Sequence, residues 1–144
     1  MRFPAIGAAL AAIWLGAGVA QATGTLLCEA RDKAVEVTLQ GAVGSIASSI
    51  SGLQGEIEMK AAGAEPASKI ELDAESLRQQ WIDGLDLKLW LRTEKTGKTP
   101  ELDLIVETKR KSKTASNYAG AFRITVEGAK GPRKLAGKLS CSID

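Results

Sequence analysis

Residues 85–93 read LDLKLWLRT. Leucine stands at 85, 87, 89 and 91, with Asp86, Lys88, Trp90 and Arg92 between. Side chains alternate faces along a strand, so this period of two predicts a strand with one apolar and one polar face. The same alternation recurs on both sides and predicts eight strands in all. The others are 24–31, 34–41, 52–60, 67–72, 101–109, 117–127 and 134–143. Their apolar phases include Val35, Val37 and Leu39, then Leu53, Ile57 and Met59, and later Leu102, Leu104 and Val106. Tyr118, Gly120, Phe122, Ile124 and Val126 continue the pattern, and Leu135, Leu139, Cys141 and Ile143 end it.

Eight strands in a meander bring the first and last together as antiparallel neighbours. The expected fold is therefore all-β, an antiparallel eight-stranded meander closed as a small barrel, which removes both sheet edges. A two-sheet β-sandwich is the alternative. One short helix is expected over 74–82, between strands four and five. Asp73 can cap it, Glu75 lies in its first turn, Gly84 follows its end, and Leu77 and Trp81 are four apart. The Gly/Ser-rich stretch 41–52, with Val43, Ile46 and Ile50, reads equally as a long loop or a helical turn.

The N-terminus has the layout of a secretory signal peptide. Arg2 supplies positive charge, 5–19 is uncharged and apolar, and Ala20-Gln21-Ala22 is a small-x-small cleavage signal. Residues 1–22 are thus expected to be removed, leaving 23–144 as a single β domain, periplasmic or secreted. The short, Ala-rich segment has a bacterial look. The alternative is an uncleaved anchor. A lipid-modified Cys28 fits less well, because Leu27 precedes it and the apolar run ends earlier. A membrane-spanning barrel needs aromatic girdles, and the mature chain offers only Trp81, Trp90, Tyr118 and Phe122. No membrane span is expected after signal cleavage.

Two cysteines, Cys28 and Cys141, remain, and both fall in the apolar phase of terminal strands. An oxidising compartment predicts that they pair. A bridge enclosing about 100 residues stabilises by roughly 4–5 kcal/mol in the chain-entropy picture.

The chain has no histidine, which excludes Ser-His-Asp, Cys-His and imidazole-metal sites. Two carboxylate pairs, Glu56/Glu58 and Asp103/Glu107, share strand faces but alternate with apolar neighbours, as solvated outer faces do. Asp83-Gly84-Leu85-Asp86 has too few oxygens for a calcium site and reads as a turn. No catalytic, metal or cofactor site is expected.

Charge is divided. Residues 23–94 hold 7 basic and 12 acidic side chains, and 95–144 hold 11 and 5. The densest basic run is Lys109, Arg110, Lys111 and Lys113, at the turn after strand six. It reads as a solvated hairpin tip or as an anion-binding rim for lipid or glycan. An exported chain is not expected to meet nucleic acid. Trp90 stands in a polar phase, between Lys88 and Arg92. Either it is, with Trp81, an exposed contact for a ligand or partner, or the 74–82 helix covers it through Leu77 and Trp81.

The function these features favour is a non-enzymatic exported binding module. It would hold a small apolar ligand in the barrel mouth or a protein partner, such as an envelope protein, on its loops. The alternatives are an envelope structural or interaction protein docked on anionic surface by the basic turn, and a histidine-free hydrolase.

Overall fold

The computed structural model describes residues 23–45, 49–63 and 65–144. The expected signal peptide, and residues 46–48 of the Gly/Ser-rich stretch, lie outside the described residues. The described chain is an antiparallel sheet of nine strands curled into a half-barrel, with almost no helix. The strands are β1 (Thr23–Arg31), β2 (Val35–Gly44), β3 (Ile50–Met59), β4 (Ser68–Leu72), β5 (Leu77–Asp83), β6 (Asp86–Thr93), β7 (Leu102–Arg110), β8 (Asn117–Gly128) and β9 (Gly131–Ile143). Their order across the sheet is β4-β3-β2-β1-β9-β8-β7-β6-β5.

The expected pairing of first and last strands is present, since β1 lies beside β9. One continuous sheet replaces the alternative of two stacked sheets. Eight strands become nine because most of the stretch expected as helix, 74–82, belongs to β5. The N-terminal helix signal is real but short-lived. Asp73 Oδ1 accepts from the Ser76 N–H at 3.0 Å, and the Asp73 N–H donates to Ser76 Oγ at 3.2 Å. They cap a single 3-10 turn, Ala74–Ser76. A longer helix would leave the β6 edge without a ladder, whereas a strand pairs it from Leu77 to Asp83. Gly84 opens the two-residue hairpin between β5 and β6 at φ 56°, rather than ending a helix. Leu85 consequently sits in that turn, exposed, instead of in the core.

The expected barrel does not close. Neighbours alternate in direction, and a fully antiparallel ring requires an even number of strands. With nine, the two edges β4 and β5 run the same way, and no backbone ladder joins them. The 3-10 turn fills one end of the resulting seam, touching both β3 and β6.

The Gly/Ser-rich stretch is neither loop nor helical turn at its described ends, which extend β2 and β3. Gly52 and Leu53 together oppose Gly41 in a β-bulge, with Gly52 at φ 58°. The extra residue resets the phase, so Ile50 and Leu53, three apart, both face inward.

Gly120 on β8 is paired with Thr108 on β7. A Cβ there would lie 2.0 Å from the Glu107 carbonyl oxygen, so only glycine lets β7 and β8 approach so closely. The inward side chains form one core cluster. It includes Leu26, Leu39, Ile57, Leu87, Leu89, Leu91, Leu104, Tyr118, Phe122 and Leu139, all at most 3 % exposed.

Cys28 and Cys141 are bridged, with their Cα atoms 4.0 Å apart. They face each other directly across β1 and β9. Thr25 and Asp144 exchange both backbone hydrogen bonds, at 2.8 and 3.1 Å. Three pairs further along, alternation makes Cys28–Cys141 a non-hydrogen-bonded pair, where antiparallel strands bring side chains closest.

Candidate functional site

The sheet places Trp81 and Trp90 on the outer face of β5 and β6. Trp90 opposes Gln79, and Trp81 opposes Lys88, so the indoles are diagonal neighbours. Among the described residues no helix covers Trp90, because the segment expected to do so is the adjacent strand. Leu77 and Trp81 share no face: Leu77 packs against the core, while Trp81 is 56 % exposed and Trp90 38 %. An extra residue, Arg78, bulges between Leu77 and Gln79 and sets this facing.

Outward residues of β7 and β8 continue the surface. Ile105 opposes Trp90 and Arg123 opposes Ile105, while Glu107 opposes Lys88. Together they line an open cleft of about 500 Å³. The Trp90 indole N–H donates to Asp103 Oδ1 at 2.8 Å, which fixes the ring's orientation. Arg123 pairs with Glu107 at 3.1 Å and forms one wall. Lys88 stands between Trp81 and Glu107 with no carboxylate in ion-pair range among the described residues. Ile105 carries the signal that marked Trp90, an apolar residue in a polar phase. The roles of Gln79, Glu107 and Arg123 were not legible, because they depend on register across four strands.

The basic run is divided in its use. Lys109 lies 3.4 Å from Asp86. Arg110 donates to the carbonyls of Gly84 and Ala115, at 2.9 and 3.2 Å, and its guanidinium lies 5.2 Å from the Tyr118 ring centroid. These contacts tie the β7–β8 turn to the β5–β6 hairpin. Lys111 and Lys113 are exposed in that turn and make no ion pair among the described residues. Lys130, Arg133 and Lys134 lie at the far end of β8, so the two basic groups stay apart.

The carboxylate pairs stand on the outer face, where Glu56, Asp103 and Glu107 are engaged. Glu56 pairs with Lys69 at 2.9 Å, and the hydrogen bond together with the charge of Glu56 raises the Lys69 pKa above its ordinary value. Asp103 holds Trp90 and lies 3.8 Å from Arg92, which also pairs with Glu101. Among the described residues no cluster of three or more Cys, Asp or Glu side chains is arranged to hold a metal ion. None of the described helices is long and apolar enough to cross a membrane. No protein-family model, no curated protein and no solved structure matches this chain.

Proposed function

We propose that this chain is a non-enzymatic binding module of the bacterial envelope that holds its ligand on the outside of the sheet. The observation that carries this reading is the pairing of two exposed indoles beside Ile105 in one open cleft. Large aromatics exposed together on a soluble surface mark contact sites more often than chance exposure does. Placement outside, rather than in a barrel mouth, is favoured by the interior: Leu87, Leu89, Phe122 and Leu139 belong to the packed core. Export is supported by the signal-like N-terminus and the Cys28–Cys141 bridge. The absence of histidine and the ion pairing of exposed carboxylates favour binding over hydrolysis.

The test is nuclear magnetic resonance of the isotopically labelled protein titrated with a bacterial envelope extract. The expected result is perturbation of the Trp81 and Trp90 indole N–H signals and the Ile105 methyls, with the methyls of Leu87 and Leu89 unmoved. Perturbation centred on those inward methyls, or none anywhere, would refute outer-face binding.

A further inference from the structure

Resting on the outer-face reading, we infer that the Trp81–Trp90 cleft takes an acidic glycan, with sugar rings against the indoles and a carboxylate at Lys88. Three observations select this occupant. The apolar part of the cleft is small, two indoles and Ile105, and charged or amide groups border it. A stable protein interface needs roughly 800 Å² per partner with an apolar centre. Around this cleft the polar phase of β6 and β7 instead supplies Asp86, Lys88, Arg92, Asp103 and Glu107. A volume of about 500 Å³ suits a few sugar rings.

The chemistry of the border matches a hydroxylated ring. The face of an indole is electronegative, so it attracts the slightly positive C–H face of a sugar. The same ring presents hydroxyls at its rim, which need both donors and acceptors. Gln79 offers both, Glu107 accepts, and Arg123 donates. The Trp90–Asp103 hydrogen bond holds one stacking surface in place before binding, which reduces the ordering cost.

Charge chooses among glycans. Glu107 and Arg123 satisfy one another at 3.1 Å, whereas Lys88, between Trp81 and Glu107, has no ion-pair partner among the described residues. A ligand carboxylate gives it one. Uronic acid chains therefore fit better than neutral hexose chains of the same length.

The experiment is calorimetric titration of the purified protein with three probes: a galacturonic acid trimer, a maltose-type glucose trimer and an N-acetylglucosamine trimer. The uronate is expected to bind at least tenfold more tightly than either neutral probe in low salt. Lys88→Gln should weaken uronate binding about tenfold, as loss of one charge-assisted contact does, and leave neutral sugars unchanged. Trp81→Ser, at the more exposed indole, should weaken binding at least tenfold while the thermal midpoint stays within a few degrees, and adding Trp90→Ser should abolish it. Equal affinity for all three probes, indifference to Lys88→Gln, or binding that survives loss of both indoles overturns the assignment. Failure of every sugar, with the indole signals still perturbed by envelope extract, overturns the glycan and leaves the outer-face site standing, with a protein partner as its occupant.

Discussion

The side-chain amide of Gln80 satisfies both backbone groups of Ile50. Its Oε1 accepts from the Ile50 N–H at 2.5 Å, and its Nε2 donates to the Ile50 carbonyl at 3.3 Å. Gln80 belongs to β5 and Ile50 opens β3, so the bond crosses the seam where the ladder is missing. β4 pairs only with Gly55–Met59, which among the described residues leaves the first part of β3 without a strand on that side. One amide thus does locally what a neighbouring strand would do.

Gln80→Ala should remove this substitute and leave Ile50 with two unpaired groups. The expected loss is about 1–3 kcal/mol in urea unfolding. Hydrogen exchange at the Ile50 amide should accelerate well beyond that at Leu39, which keeps its ladder. Unchanged exchange at Ile50 would show that the bridge does not hold the seam.

Removing the bridge by Cys28→Ser with Cys141→Ser should destabilise by roughly 4–5 kcal/mol, because the cross-link spans 113 residues. The β1–β9 ladder it reinforces pairs only Leu26–Glu29 with Ser140–Ile143, far fewer residues than β8 and β9 share. Urea midpoints of the native protein and the double variant measure the difference. Coincident midpoints would contradict it.

Gly120→Ala places a Cβ against the Glu107 carbonyl and should cost about 1–3 kcal/mol or more. Ala119→Ser, its exposed neighbour, should stay within about 0.5 kcal/mol. Thermal melts of the two variants test the pair together. A silent Gly120→Ala would mean that β7 and β8 are further apart than described.

The Glu36–Lys60 pair, 3.0 Å apart, gives a pH dependence of known sign. The hydrogen bond and then the charge of Lys60 lower the Glu36 pKa below 4.5. A lowered carboxylate pKa contributes stability that is complete above the unfolded value and is lost as pH falls through the folded one. The Glu36 midpoint followed by nuclear magnetic resonance should lie below 4.5 and rise in Lys60→Met. Both side chains are exposed, so the shift should shrink with salt. A midpoint that ignores Lys60→Met would disprove the coupling.

The strands were legible because burial of one sheet face imposes a period of two, and β6 shows it from Leu87 to Leu91. The cysteine pairing was legible for the same reason, since Cys28 and Cys141 kept phase with their apolar neighbours. β5 was not. Its bulge at Arg78 breaks the alternation, and the spacing of Leu77 and Trp81 mimics a helix face. Both flanking signals were sound: Asp73 does cap a turn, and Gly84 does reverse the chain. What the local pattern could not convey was the demand of β6 for a second neighbour. The tryptophan cleft was legible only in part: both indoles stood out as candidate contacts, but their places side by side on one outer face depend on β5 being a strand. The basic run is split between the end of β7, with Lys109 and Arg110, and the turn after it, with Lys111 and Lys113, and the use of Arg110 on Tyr118 and Gly84 depends on contacts distant in sequence.

The disulfide makes the described chain a covalent ring from residue 28 to residue 141, with only short tails outside it. A single cut in such a ring opens it without releasing either piece. A protease acting at the exposed Lys111 or Lys113 would leave two fragments that separate on a gel only after reduction, while the nine strands keep their neighbours. Any single cut in a turn between residues 28 and 141 leaves its two pieces joined in the same way, through one sulfur–sulfur bond.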